Sequence, residues 1–150
     1  MQHIMISRTD NIGDVVLTLP LAGALREKFS KNIKISFLAK NYVKAIVEAS
    51  PYVDTFVDWD ILQKNMDKVG YLKSLKVDSI LHVFPNKQLA YLAKKAHIPF
   101  RVGSLRRLYH WWTCTTKLPL TRKNSCYHEA QLNLSFLSYF TGHYTVPSRE

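Results

Sequence analysis

The chain predicts an α/β domain: an open parallel sheet with helices on both faces. Apolar runs too short for helices alternate with stretches at helical spacing along most of the length, which is the mark of βαβ units. The run Ser79-Ile-Leu-His-Val-Phe84 is short and almost wholly apolar, as a strand buried on both faces must be. With 47% hydrophobic residues, 150 residues are enough to close one core.

The first strand spans His3 to Ser7. Val15, Leu19, Ala22, Leu25 and Phe29 then recur at helical spacing and mark the first helix. Pro20 should either kink that helix or stand near its true start. Ile33 to Leu38 reads as the second strand. Asn41 can cap a short helix over Tyr42 to Ala49, closed by Pro51. Val53 to Val57 reads as the third strand, and one helix over Ile61 to Leu75 follows, weakened by Gly70. After the strand at Ser79, a helix covers Lys87 to Ala96, and Phe100 to Val102 forms a fifth strand. The stretch from Gly103 to Asn124 is aromatic, basic and without period, so it reads as irregular. The last helix runs from about His128 to Phe140 and is apolar on most sides.

Composition narrows the function classes. Lys and Arg number 21 against 11 acids, for a net charge of +10, which points to an anionic partner without naming it. No apolar run approaches the ~20 residues that span a bilayer. The N-terminus lacks a basic segment followed by a long apolar one, so a cytoplasmic location is expected. Cys114 and Cys126 are too few for a disulfide framework and read as buried thiols. His3, His97, His110, His128 and His143 lack zinc spacing, so no metal is expected.

The most informative stretch is Ile4-Met-Ile-Ser-Arg8-Thr-Asp-Asn-Ile-Gly13-Asp14. In an open α/β sheet the loop after the first strand lies at the carboxyl edge, where ligands bind. Asp14 there is either a helix-terminal acid satisfied by backbone N–H groups and the helix dipole, or a general base toward a substrate hydroxyl. Gly13 stands alone and an anion follows it, which argues against a phosphate loop. Arg8 either holds the loop by pairing with Asp10 or Asp14, or contacts substrate. On the fourth strand His82 reads first as a core histidine with a backbone partner. Asn86 and Lys87 follow at the same sheet edge, with Asn86 a helix cap or a hydrogen-bonding group for a sugar. Arg101, Arg106 and Arg107 suit an anion, while Trp111 and Trp112 read as core. Glu129 beside His128 favours the start of the last helix.

These residues, in this order, resemble the heptosyltransferase family of bacterial glycosyltransferases, glycosyltransferase family 9. The resemblance begins with Arg8, Asn11-Ile-Gly-Asp-Val-Val-Leu-Thr-Leu-Pro20 and Ala24-Leu25-Arg26. It continues through Ile35-Ser-Phe-Leu38, Tyr42, Glu48, Pro51-Tyr-Val-Asp54, Trp59, Asp78 to His82, Arg101-Val-Gly103 and His128-Glu129. It implies a Rossmann-like open parallel sheet, the N-terminal domain of a GT-B enzyme, in which this half binds the acceptor and the other half binds a nucleotide sugar such as ADP-heptose. It further implies sugar transfer with inversion, without a metal or other cofactor, to an acidic or phosphorylated glycan or glycolipid of the lipopolysaccharide core. Asp14 maps onto the proposed base. Arg8, Asn11, Gly13, Asn86, Lys87, Arg101, Arg106 and Arg107 are the expected substrate-binding residues.

On this resemblance residues 1–143 form the acceptor domain, and residues 144–150 begin a linker toward a donor domain that the 150 residues do not contain. The expected chain is inactive alone and peripheral on the inner face of the inner membrane. The competing reading is a non-catalytic Rossmann-like module for a phosphorylated sugar or nucleotide. No recognised nucleic-acid motif accompanies the Arg-Trp segment, so no specific nucleic-acid partner is expected.

Overall fold

The computed structural model describes residues 2–119 and 133–141. Six parallel strands form one sheet in the order β3-β2-β1-β4-β5-β6. They are β1 (Gln2–Ser7), β2 (Ile33–Ala39), β3 (Thr55–Asp58), β4 (Ser79–His82), β5 (Phe100–Ser104) and β6 (Thr116–Leu118). The helices are α1 (Ile12–Phe29), α2 (Lys44–Glu48), α3 (Trp59–Lys64), α4 (Lys68–Ser74), α5 (Lys87–Lys95), α6 (His110–Thr113) and α7 (Ser138–Thr141). This is the Rossmann-like architecture expected, and the order reverses between β1 and β4, so the crevice above those two strands is the topological switch point.

Two apolar layers sandwich the sheet. Ile4 and Ile6 face one layer with Val15, Leu21 and Leu25 of α1, Val47 of α2, and Phe136. Met5, between them in sequence, faces the other with Trp59, Leu62, Leu72, Leu89 and Ala93 of α3, α4 and α5. The alternation follows from the two-residue period of a strand, and the helices on both faces bury His3 through Ser7 of β1.

Several elements differ from the linear reading. α1 begins at Ile12 and runs unbroken through Pro20. Pro20 and Val16, the residue four positions back, are both exposed, so the carbonyl that the ring deprives of its partner stands on the water side. Asn41 caps nothing with its side chain. It opens a 3-10 turn over Asn41–Val43 before α2, and its amide donates to Asp58 Oδ2 at 2.5 Å. The helix expected over Ile61 to Leu75 is two helices, α3 and α4. The Asp67 carboxylate accepts from Gly70 N at 2.8 Å and so starts a new helix where continuation was expected. The Gly103 to Asn124 stretch contains α6 and the sixth strand, both too short to show a period. The helix expected over His128 to Phe140 is described only from Asn133 on, where a 3-10 turn over Ser135–Leu137 interrupts it before α7. Residues 128–132, with Glu129, and Cys126 and residues 142–150 lie outside the described residues.

Candidate active site

The loop between β1 and α1 is organised around a buried cation. Arg8 continues the sheet through its backbone, donating N–H to Leu38 O at 2.9 Å, and turns its side chain inward until only 2% is exposed. A guanidinium in that position needs acceptors for its N–H fork. Asp10 supplies two: Nε donates to Oδ1 at 2.9 Å and Nη2 to Oδ2 at 3.0 Å. Nη1 donates to Asn133 Oδ1 at 3.2 Å and Thr18 Oγ1 at 3.4 Å. Asp14 Oδ1 lies 3.5 Å from Nη2. Both loop carboxylates therefore share one cation, and Arg8 reaches the site through them. Burial raises the Asp10 carboxyl above its ordinary range, with Arg8 pulling it down and Asp14 pushing it up.

Asn11 caps α1 and aims Asp14. Its Oδ1 accepts from Asp14 N at 3.0 Å, and its Nδ2 donates to Asp14 Oδ2 at 2.6 Å. The Asp14 carboxylate is thus held by an amide on one oxygen and faces the guanidinium with the other. Among the described residues, no main-chain N–H binds it. With 29% of its side chain exposed, it presents a solvent-facing edge. Gly13 beside it has no backbone need to be glycine: an added Cβ would lie 3.5 Å from Asn11 Oδ1, an ordinary contact. The residue leaves the first turn of α1 bare next to Asp14.

The β4 side closes the same crevice. Phe84 N donates to Ser7 O at 3.3 Å, and Asn86 Nδ2 donates to Thr9 Oγ1 at 3.0 Å, tying the two loops together across the switch point. Asn86 Oδ1 accepts from Leu89 N at 3.0 Å and caps α5, so both ends of this amide are engaged within the protein. Lys87 is exposed at the first turn of α5. On the β2 side the Tyr42 hydroxyl donates to Asp10 O at 3.1 Å. Beyond it lies a 430 Å³ hollow lined by Asn41, Asp58 and Asp60.

The three arginines grouped in sequence are separated in space. Arg101 is the second residue of β5, away from the carboxyl edge, and its side chain donates to Thr113 O at 2.6 Å and to Ile98 O. It pins the β5–β6 connection and does not join Asp14. Arg106 and Arg107 follow the carboxyl end of β5 and are exposed. Trp111 and Trp112, expected in the core, are 56% and 54% exposed, because α6 packs on β5 and α5 through His110 and Thr113 and turns its other side to solvent.

His82 is buried, as expected, but neither ring nitrogen finds a hydrogen-bond partner among the described residues. It stacks on His110 at 5.6 Å between centroids. Burial, with His110 and Arg101 nearby, lowers it to about 3. Burial raises the Cys114 thiol to about 11, which makes it a packing group. A 1040 Å³ groove between α1 and α2 contains none of the expected site residues. Among the described residues, no three His, Cys, Asp or Glu side chains converge as metal ligands would.

The sequence leaves the partner of Arg8 open between Asp10 and Asp14, and the structure gives Asp10 the bidentate pair. One participant escapes the sequence reading. Asn133 arrives from 125 residues away, fully buried, and also donates to Thr18 Oγ1 at 3.0 Å and Leu17 O at 3.3 Å. A lone asparagine in an apolar segment gives no sign of such a contact.

No family model matches the chain, and no curated protein matches it. Solved structures do. The glycosyltransferase family 9 protein from Veillonella parvula DSM 2008 superposes with a TM-score of 0.74 at 24% identity, over 91% of this chain and 40% of that one. The chain has the fold of a glycosyltransferase family 9 protein. E. coli heptosyltransferase WaaC with ADP gives a TM-score of 0.75 at 18% identity, over 99% of this chain and 50% of that one. E. coli ADP-heptose LPS heptosyltransferase II gives 0.69 at 16% identity, over 90% of this chain and 39% of that one. The chain thus spans between two fifths and one half of these glycosyltransferases.

Proposed function

We propose that these 150 residues form the acceptor-binding half of a glycosyltransferase of the heptosyltransferase type, with Asp14 as general base. The observation that carries the reading is the Asp14 carboxylate itself. It stands at the switch point of a Rossmann-like sheet, held by side chains and partly open to solvent, while Asn11 does the capping that would otherwise occupy it.

In this reading Asp14 accepts the proton of an acceptor hydroxyl as that oxygen attacks the anomeric carbon of a nucleotide sugar. The bond to the nucleoside diphosphate breaks on the opposite side, and the centre inverts. Asn11 and Arg8 hold the carboxylate in place, which keeps the base within reach of the proton. Gly13 leaves room for the acceptor sugar to approach. Lys87, Arg106 and Arg107 are exposed cations suited to the charges of an acidic or phosphorylated core glycan. Arg101 and Asn86 serve the scaffold. ADP-heptose is the proposed donor class, bound by residues outside these 150. E. coli heptosyltransferase WaaC, solved with ADP and with ADP-2-deoxy-2-fluoro heptose, supports that choice.

The test pairs binding with transfer. Calorimetry of lipopolysaccharide inner-core oligosaccharides with the wild-type chain and with Asp14→Asn should give affinities within about threefold of each other. Joined to the donor-binding half of a family 9 enzyme, the wild-type chain should support transfer from ADP-heptose, and Asp14→Asn should lower it by about 10²-fold or more. Full turnover by Asp14→Asn removes the base. Binding of free sugar phosphates or nucleotides in preference to the glycan favours the non-catalytic module.

A further inference from the structure

We propose that the turn and short helix after β5 form a docking surface for an anionic lipid bilayer. Leu108, Trp111 and Trp112 stand at positions i, i+3 and i+4, at most about 1.1 helical turns apart, so they issue from one side of a single turn. Backbone bonds from Trp111 N to Leu108 O at 3.0 Å and from Thr113 N to Tyr109 O at 3.1 Å hold that turn. Leu108 is 75% exposed, beside the two half-exposed tryptophans. Each indole N–H is already satisfied from within: Trp111 Nε1 donates to Leu105 O at 3.1 Å, and Trp112 Nε1 to Tyr91 Oη at 2.7 Å. The exposed parts of the rings are therefore apolar. Adjacent exposed tryptophans with an exposed leucine suit the boundary between headgroups and acyl chains.

Charge selects the kind of membrane. No Asp or Glu occurs from residue 79 to residue 128, whereas nine of the 11 acids precede residue 79. The strand order turns that asymmetry of sequence into one of space, because β4, β5 and β6 make up one half of the sheet. Arg106 and Arg107 immediately precede the apolar turn and are exposed, and Lys117 Nζ lies 5.9 Å from the Trp111 ring centroid. Cations flanking an apolar wedge, with no acid nearby in sequence, complement anionic headgroups within a Debye length of about 8 Å. A glycan or a nucleic acid would use the cations and the rings but would leave Leu108 in water. The proposal gives a surface to the membrane attachment that the resemblance implies and shares Arg106 and Arg107 with the transferase reading, but its test involves neither Asp14 nor a sugar, so the two readings can fail separately.

Vesicle co-sedimentation tests it, with phosphatidylcholine alone and with phosphatidylcholine containing 30 mol% phosphatidylglycerol. The 150-residue chain should partition at least tenfold more strongly onto the anionic vesicles, with tryptophan emission shifted to the blue. Trp59 is buried and supplies an unchanging background. The double variant Trp111→Ser/Trp112→Ser should lose the shift and at least tenfold of the partitioning, and Leu108→Ser, at a site with little to lose on folding, at least threefold. Arg106→Gln/Arg107→Gln/Lys117→Gln should erase the preference for anionic lipid. Failure of the wild type to bind anionic vesicles overturns the proposal. Equal binding by the tryptophan and leucine variants does so too, since it assigns attachment to scattered lysines. So does burial of both rings in a dimer in solution, or displacement of the vesicles by a single-stranded oligonucleotide.

Discussion

Arg8 holds Asp10 by two parallel hydrogen bonds, 2.9 and 3.0 Å long, and stands 3.5 Å from Asp14. One buried cation therefore serves two carboxylates unequally. Asp10 takes the geometry of a structural pair, and Asp14 keeps an edge for chemistry. The division follows from chain geometry: a side chain at the end of β1 reaches an acid in its own loop with both arms of its fork, and touches the first turn of α1 only with the remaining edge.

Arg8→Ala should be the most damaging substitution in this loop. It leaves two carboxylates near one another without their shared cation, and breaking a buried pair in this way costs about 3–5 kcal/mol. Arg8→Lys should recover part of that loss only, because an ammonium cannot make the bidentate pair. Urea unfolding of the three proteins ranks them, and equal stability of the alanine variant would remove Arg8 as the organising group.

Asn133→Ala should destabilise by about 1–3 kcal/mol, since it strips buried partners from Arg8, Thr18 and Leu17 O at once. The same variant should move the titration of Asp10, followed by carboxyl-carbon NMR, because Arg8 loses an anchor on its far side. An unmoved Asp10 would show that the helical segment near Asn133 braces the fold without reaching the loop.

Gly103 and Gly13 should respond oppositely to alanine. At Gly103 a Cβ would stand 2.6 Å from His110 Nδ1 and 2.7 Å from Cys114 Sγ, both in buried side chains that cannot retreat. Overpacking of this kind costs about 1–3 kcal/mol. At Gly13 the Cβ fits, and a helical alanine gains up to about 1 kcal/mol over glycine. Thermal melts check both. Gly13→Ala should also weaken glycan binding several-fold while the fold is kept.

His82 should make the protein acid-sensitive. Its pKa falls from 6.5 in the unfolded chain to about 3 in the folded protein, and burial also lowers His3 and His110. Between those values the unfolded state holds the proton and the folded state does not. The stability that His82 contributes is therefore full above about pH 6.5 and declines as pH falls toward 3, by up to about 1.4 kcal/mol per pH unit, and His3 and His110 act in the same direction. His82→Leu should flatten that decline in urea titrations between pH 7 and 4. An unchanged slope would place the protonation elsewhere.

The sheet, its parallel sense and its two covered faces were legible in the order of residues, because burial on both sides demands continuous apolar runs such as Ile4 to Ile6. The loop after β1 and its acid were legible for the same reason: a strand, a polar turn and a helix leave few places for Asp14 to stand. Boundaries set by one side chain were not. Asp67 starts a helix inside a helical pattern, and Pro20 passes through one, because hydrogen bonding and water exposure at a single position outweigh periodicity.

Contacts between distant parts of the chain belonged to the folded molecule alone. Asn133 reaches Arg8 only because the segment near residue 136 packs on α1. Arg101 leaves the other arginines because its strand points it at Thr113 and Ile98. The tryptophans emerge because α6 turns His110 and Thr113 toward β5 and α5. Neighbours along the chain obey local spacing, which the linear order records. Neighbours across it are chosen by packing, which depends on every layer at once.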